Sequence, residues 1–112
     1  MAANRRRGEV SAVIGGEERR LCLTLGALAE LEDAFALEDL GQLAARFGSG
    51  HLSARDLTRI LGAGLRGAGA CVSDAELANL PIEGGVAGAA RVAAELLDAA
   101  FGGAGGETPA RP

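Results

Sequence analysis

The stretch Arg19–Glu32, RRLCLTLGALAELE, changes its hydrophobic period midway, and the rest of the chain can be read outward from that change. Up to Leu23 the residues alternate as a strand does. From Leu25 the apolar positions Leu28, Leu31 and Phe35 recur at helical spacing, with Glu30 and Asp33 turned away. Thr24 stands between the two, and its hydroxyl oxygen can accept a hydrogen bond from the first turn, so it reads as the helix cap. Strand and helix share almost no linker and form a rigid corner. The corner holds no catalytic grouping, which turns the search for function from enzymes toward surfaces.

Upstream, Glu9–Ile14 alternates as a strand with Val10, Ala12 and Ile14 on one face. Gly15-Gly16 supplies the positive φ angles of a tight hairpin turn, and Glu17–Leu23 returns with Leu21 and Leu23 facing inward. Downstream, Leu37–Leu40 breaks the first helix. A second helix runs to about Phe47 with Leu40, Leu43 and Phe47 inward and stops at Gly48-Ser-Gly50. Ser53-Ala-Arg-Asp56 is a capping-box variant opening a helix that gathers Leu57, Ile60, Leu61 and Gly64. Ser73-Asp-Ala-Glu76 is a full capping box, and its short helix ends near Pro81. A last helix, about Glu83 to Phe101, is expected to bury Val86, Ala89, Ala90, Ala93, Leu96, Leu97 and Ala100. Its outer face carries Arg91, Glu95 and Asp98, with Arg91 and Glu95 spaced as an i,i+4 pair. The expected architecture is α+β, an N-terminal β-hairpin followed by four to five short helices. Residues 1–8 read as a disordered lead-in, 9–101 as a single globular domain, and 102–112 as a disordered tail with nothing to bury.

The 112 residues suffice for one domain, and 48% of them are apolar, much of that alanine. The three aromatic residues, Phe35, Phe47 and Phe101, are the bulky members of a small core. All 11 basic residues are Arg, and the net charge of −4 argues against general nucleic-acid binding. Arg5-Arg6-Arg7 is read as a solvated basic tail. No run reaches the roughly 18 apolar residues of a membrane span, and no apolar segment follows the N-terminal charges as in a secretory signal. Cys22 and Cys71 fit a reducing cytoplasm, and with the lone His51 they make no metal-ligand set. No metal or cofactor is expected.

Gly62-Ala-Gly-Leu-Arg-Gly67 matches GxGxxG, but a dinucleotide site needs a strand before it and a helix opening within it. Here Asp56–Leu61 is helical by pattern. Close helix packing at Gly62 and Gly64, with a helix end near Gly67 or Gly69, accounts for the same letters. His51 reads as a loop residue ahead of the Ser53 cap, and the carboxylate pairs Glu38-Asp39 and Glu30/Asp33 read as solvated helix charge. Arg55, Arg59 and Arg66 are the candidate partner-binding residues. On a helix they fall on one side, opposite Leu57, Ile60 and Leu61, where three guanidiniums can grip an acidic partner surface or serve only as a soluble face.

Four segments carry a family resemblance: Asn4–Glu9, Arg20–Glu32, Leu52–Leu57 and Ile60–Leu65, with a weaker extension through Gly84–Phe101. Together they resemble the small tail-region protein of alphaproteobacterial gene transfer agents, phage-like particles that package host DNA. That family is classed with phage tail assembly chaperones and has also been labelled a tail tube protein. The resemblance implies a non-enzymatic, cytoplasmic assembly factor that holds a tape-measure or other tail protein; the alternative is a structural tail tube component, associated with the particle. It brings no catalytic residue with it, and it leaves homo-oligomerisation open. Tube subunits of phage tails are usually larger and dominated by β-sheet, which weighs toward the assembly factor.

Overall fold

The computed structural model describes residues 8–48 and 52–101. The expected lead-in up to residue 7, His51, Arg5-Arg6-Arg7 and the tail from residue 102 lie outside the described residues. The fold is α+β, as expected. Strands β1 (Glu9–Ile14) and β2 (Glu17–Cys22) precede helices α1 (Leu25–Ala34), α2 (Leu40–Gly48), α3 (Ala54–Gly67), α4 (Asp74–Ala78) and α5 (Gly85–Ala100).

The strands pair antiparallel from Glu9↔Cys22 to Ile14↔Glu17. Gly15 and Gly16 take φ of 66° and 82°, the two positive angles a two-residue hairpin loop requires. A lone hairpin is marginal in water, and this one is covered on the face of Val10, Ile14 and Leu21, all buried. The segment after α4 also clasps its turn. Gly15 N–H donates to the Pro81 carbonyl at 2.8 Å, Glu83 N–H donates to the Val13 carbonyl at 3.0 Å, and Ile14 bridges to Ile82.

Local chemistry ends the helices as the sequence predicts. Thr24 accepts from Ala27 N–H at 3.1 Å. Both capping boxes close reciprocally, Ser53 with Asp56 and Ser73 with Glu76. α1 and α3 end alike. Leu37 N–H donates to Glu32 and Ala36 N–H to Asp33, while Ala70 N–H donates to Leu65 and Gly69 N–H to Arg66. Each is the paired 6→1 and 5→2 bonding of a Schellman end. The left-handed residue is Gly69 (φ 101°) at one end and Ala36 (φ 56°) at the other.

α3 is the centre of the molecule, touching β2, α1, α5 and α4. Its GxGxxG is a packing device. A Cβ on Gly64 would stand 3.0 Å from Leu96 Cδ1 and 3.2 Å from Leu21 Cβ. One on Gly62 or Gly67 would collide with Asp74 Oδ1 or with the Cys22 carbonyl oxygen. α2 lies to one side. Buried Leu43 and Phe47 anchor it, and Phe47 meets Phe35 edge to face at 5.1 Å between centroids. Arg46 covers both rings and pairs with buried Asp56 at 3.3 Å.

Several expectations need correction. Val86, expected inside, is 75% exposed, because the first turn of α5 overhangs a recess lined by Leu57, Leu61, Leu77 and Leu80 that stays open beside it. Leu40, at the first position of α2, is 40% exposed, whereas Leu43 one turn later is fully buried. Val92 and Ala27 are buried in their place. Phe35 and Phe101 are half-buried, leaving Phe47 as the buried aromatic residue. Arg91 and Glu95 form no ion pair; Arg91 instead borders a polar recess with Ser11, Glu18 and Glu83. No described helix is long and apolar enough to cross a membrane.

Candidate partner-binding groove

Arg55, Arg59, Gly62 and Arg66 follow one another at i, i+4, i+7 and i+11, so a single side of α3 carries all four. The three arginines do share a surface. Two recesses along α3, of about 450 and 440 Å³, adjoin at Arg59 and Asp74. Ala54, Arg55, Thr58 and Ala78 line the first; Glu30, Leu31, Ala34, Arg66 and Ser73 line the second.

Their electrostatic states differ. Arg66 is committed to the fold. Its Nε donates to Glu30 Oε1 at 3.2 Å, its Nη2 also donates to Glu30, and its Nη1 donates to the Val72 carbonyl at 2.9 Å. Asp74 Oδ1 is buried against Gly62, and Arg66 Nη1 at 3.0 Å is its charge partner, without the alignment of a hydrogen bond. The hydrogen bonds to Glu30 raise the Arg66 pKa above its ordinary value; burial opposes this in part, and Asp74 adds to the rise. This one side chain therefore ties α3 to α1, to α4 and to the loop between α3 and α4. The expectation that Glu30 is simply solvated is corrected accordingly.

Arg55 is exposed and Arg59 half-buried, and among the described residues neither has a carboxylate within 4 Å. The predicted stripe is thus divided into two unpaired guanidiniums facing an open groove and one held internally. Periodicity placed the arginines on one side but could not show which had partners. The available signal was Gly62, a glycine within a charged stripe, which marks where another element presses in.

Another recess, of about 410 Å³, lies between α2 and the end of α5 and is largely apolar, with Phe47, Leu97 and Phe101 in its lining. Among the described residues no group of His, Cys, Asp and Glu side chains is placed to hold a metal ion. Cys22 and Cys71 form no disulfide.

Residues 7–103 match the family described as phage tail tube protein, GTA-gp10. No curated protein and no solved structure matches the chain.

Proposed function

The chain belongs to the phage tail tube protein, GTA-gp10 family, a gene-transfer-agent tail-region family, and from that membership we propose that it is a structural component of the particle's tail tube. It works through contacts with other tail proteins and with copies of itself, and has no catalytic role. The observation that carries this reading is the extent of the match, which takes in every described residue: it spans 7–103, and the structure describes 8–48 and 52–101. The α3 groove, the apolar recess between α2 and α5 and the exposed side chains Leu25 and Val86 are surfaces suited to such contacts.

One structural observation favours a second reading. Among the described residues the sheet has two strands, short of the β-rich architecture usual in tube subunits. A small helical protein with open grooves suits a tail assembly factor, holding the tape-measure protein in the cytoplasm before the tube forms. Quantitative mass spectrometry of purified particles tests the choice. Recovery in stoichiometric amount supports the tube component. Absence from particles, with recovery from lysate bound to the tape-measure protein, overturns it in favour of the assembly factor.

A further inference from the structure

We propose that the α3 groove is a docking site for an acidic helical segment of a partner protein, gripped by Arg55 and Arg59, with Arg66 holding the groove's shape. This deepens the reading that the chain works through protein contacts and rests on it.

The charge pattern identifies the occupant. The groove is lined by three guanidiniums, Arg55, Arg59 and Arg66, and two carboxylates, Glu30 and Asp74, a local balance of +1 on a chain of net charge −4. Arg66 engages both carboxylates in a cluster of net charge −1, and Arg55 and Arg59 are the two guanidiniums left open to a visitor, which keeps the groove at net +1. Arg59 is half out of water without a carboxylate partner among the described residues. A carboxylate set against it would replace lost hydration with charge-assisted, two-pronged hydrogen bonds. The two arginines are one helical turn apart, about 6 Å along the axis, which matches carboxylates at i and i+4 on a visiting helix. The remaining lining favours close approach of such a helix, since Ala54, Ala78, Ala34 and Thr58 are small and Leu31 is apolar. Nucleic acid fits less well. A nucleic-acid backbone is a long run of phosphates, most of which would lie beyond the two open arginines and meet the net negative charge of the whole chain.

The test uses the full chain and a fluorescein-labelled alanine-based peptide with two glutamates one helical turn apart, read by fluorescence anisotropy. Saturable binding is expected, weakening with added salt. The double variant Arg55→Gln, Arg59→Gln should lower affinity about a hundredfold, since each charged hydrogen bond is worth about tenfold. Among the described residues neither side chain has an ion pair to lose, so the fold should survive, as circular dichroism would confirm. Ala78→Glu, an exposed position on the facing wall, should block binding by placing a carboxylate among the arginines.

No binding by the unaltered chain overturns the proposal. So does equal binding of a peptide with glutamine in place of glutamate, or unchanged affinity in both variants. Binding of a DNA duplex through Arg55 and Arg59 in preference to the peptide overturns it as well. Particle incorporation separates this failure from failure of the tail role. Equal incorporation of the unaltered chain and the double variant removes the groove and leaves the tail role standing. Peptide binding by a chain found neither in particles nor with any tail protein does the reverse.

Discussion

Helix α3 turns eight residues into the interior, whereas α2, just before it in the chain, turns in Leu43 and Phe47 alone. The larger side chains do not account for the difference. α2 holds its place with an aromatic contact and an arginine lid, while α3 gains its central position largely by what it lacks. Gly62 admits Asp74, Gly64 admits Leu21 and Leu96, and Gly67 admits the backbone of β2 at Cys22. In a chain with three aromatic residues, close backbone approach takes over part of the work that bulky side chains do elsewhere. The side of α3 that carries Gly62 then opens toward its N-terminus into the groove of Arg55 and Arg59.

The contrast between the helices is tested most strongly at their glycines. Gly67→Ala places a Cβ against the Cys22 carbonyl, a backbone atom that cannot step aside, and should cost about 3 kcal/mol in urea unfolding. Gly48→Ala, at the end of α2 with nothing within 4 Å among the described residues, should be neutral or stabilise by up to about 1 kcal/mol. Similar costs at the two sites would remove the distinction.

Arg66→Met comes next. It keeps the aliphatic stem but leaves Asp74 Oδ1 buried without its cation and the Val72 carbonyl without its donor. The expected loss is about 2 kcal/mol, held down because Glu30 is about half exposed and its pairing is screened by solvent. Arg91→Met, at an exposed arginine without an ion pair among the described residues, is the reference, and an equal cost there would show that the clamp contributes nothing.

A smaller effect, of opposite sign, is expected at the end of α1. Ala36 occupies the left-handed position that Gly69 fills after α3, so Ala36→Gly should stabilise by about 1 kcal/mol and Gly69→Ala destabilise by a similar amount. Matching signs in thermal melts would contradict the shared end geometry.

The smallest effect concerns the thiol of Cys22, the residue whose backbone carbonyl meets α3 at Gly67. Burial, helped by the negative charge of Glu9, pushes the Cys22 pKa above its ordinary value. The unfolded thiol therefore ionises first as pH rises. Any stability Cys22 contributes is complete below the unfolded pKa and lost as pH climbs through the folded one. Cys22 should also alkylate more slowly than exposed Cys71 in the native protein, and equal rates by mass spectrometry would show that the thiol is not covered.

Much of the fold was legible because its instructions are short-ranged. The Gly15-Gly16 turn, the Thr24 cap and the boxes at Ser53 and Ser73 involve residues within three or four positions of each other. Burial at the ends of elements was less legible. Val86 and Leu40 lie on apolar faces by period, yet the neighbouring elements stop short of them. The candidate site was half legible. Spacing alone set Arg55, Arg59 and Arg66 on one side, but Glu30 lies 36 positions from Arg66, and no periodicity within α3 reports on it.

The sequence by itself therefore determined the hairpin, the order and ends of the helices, the glycine seam and the family, since each rests on local backbone preference or on an ordered pattern of residues. Only the tertiary structure decided which arginine closes the fold and which two stay open. The pairing of a guanidinium depends on which distant carboxylates the packing brings within reach, and that is a property of the assembled core.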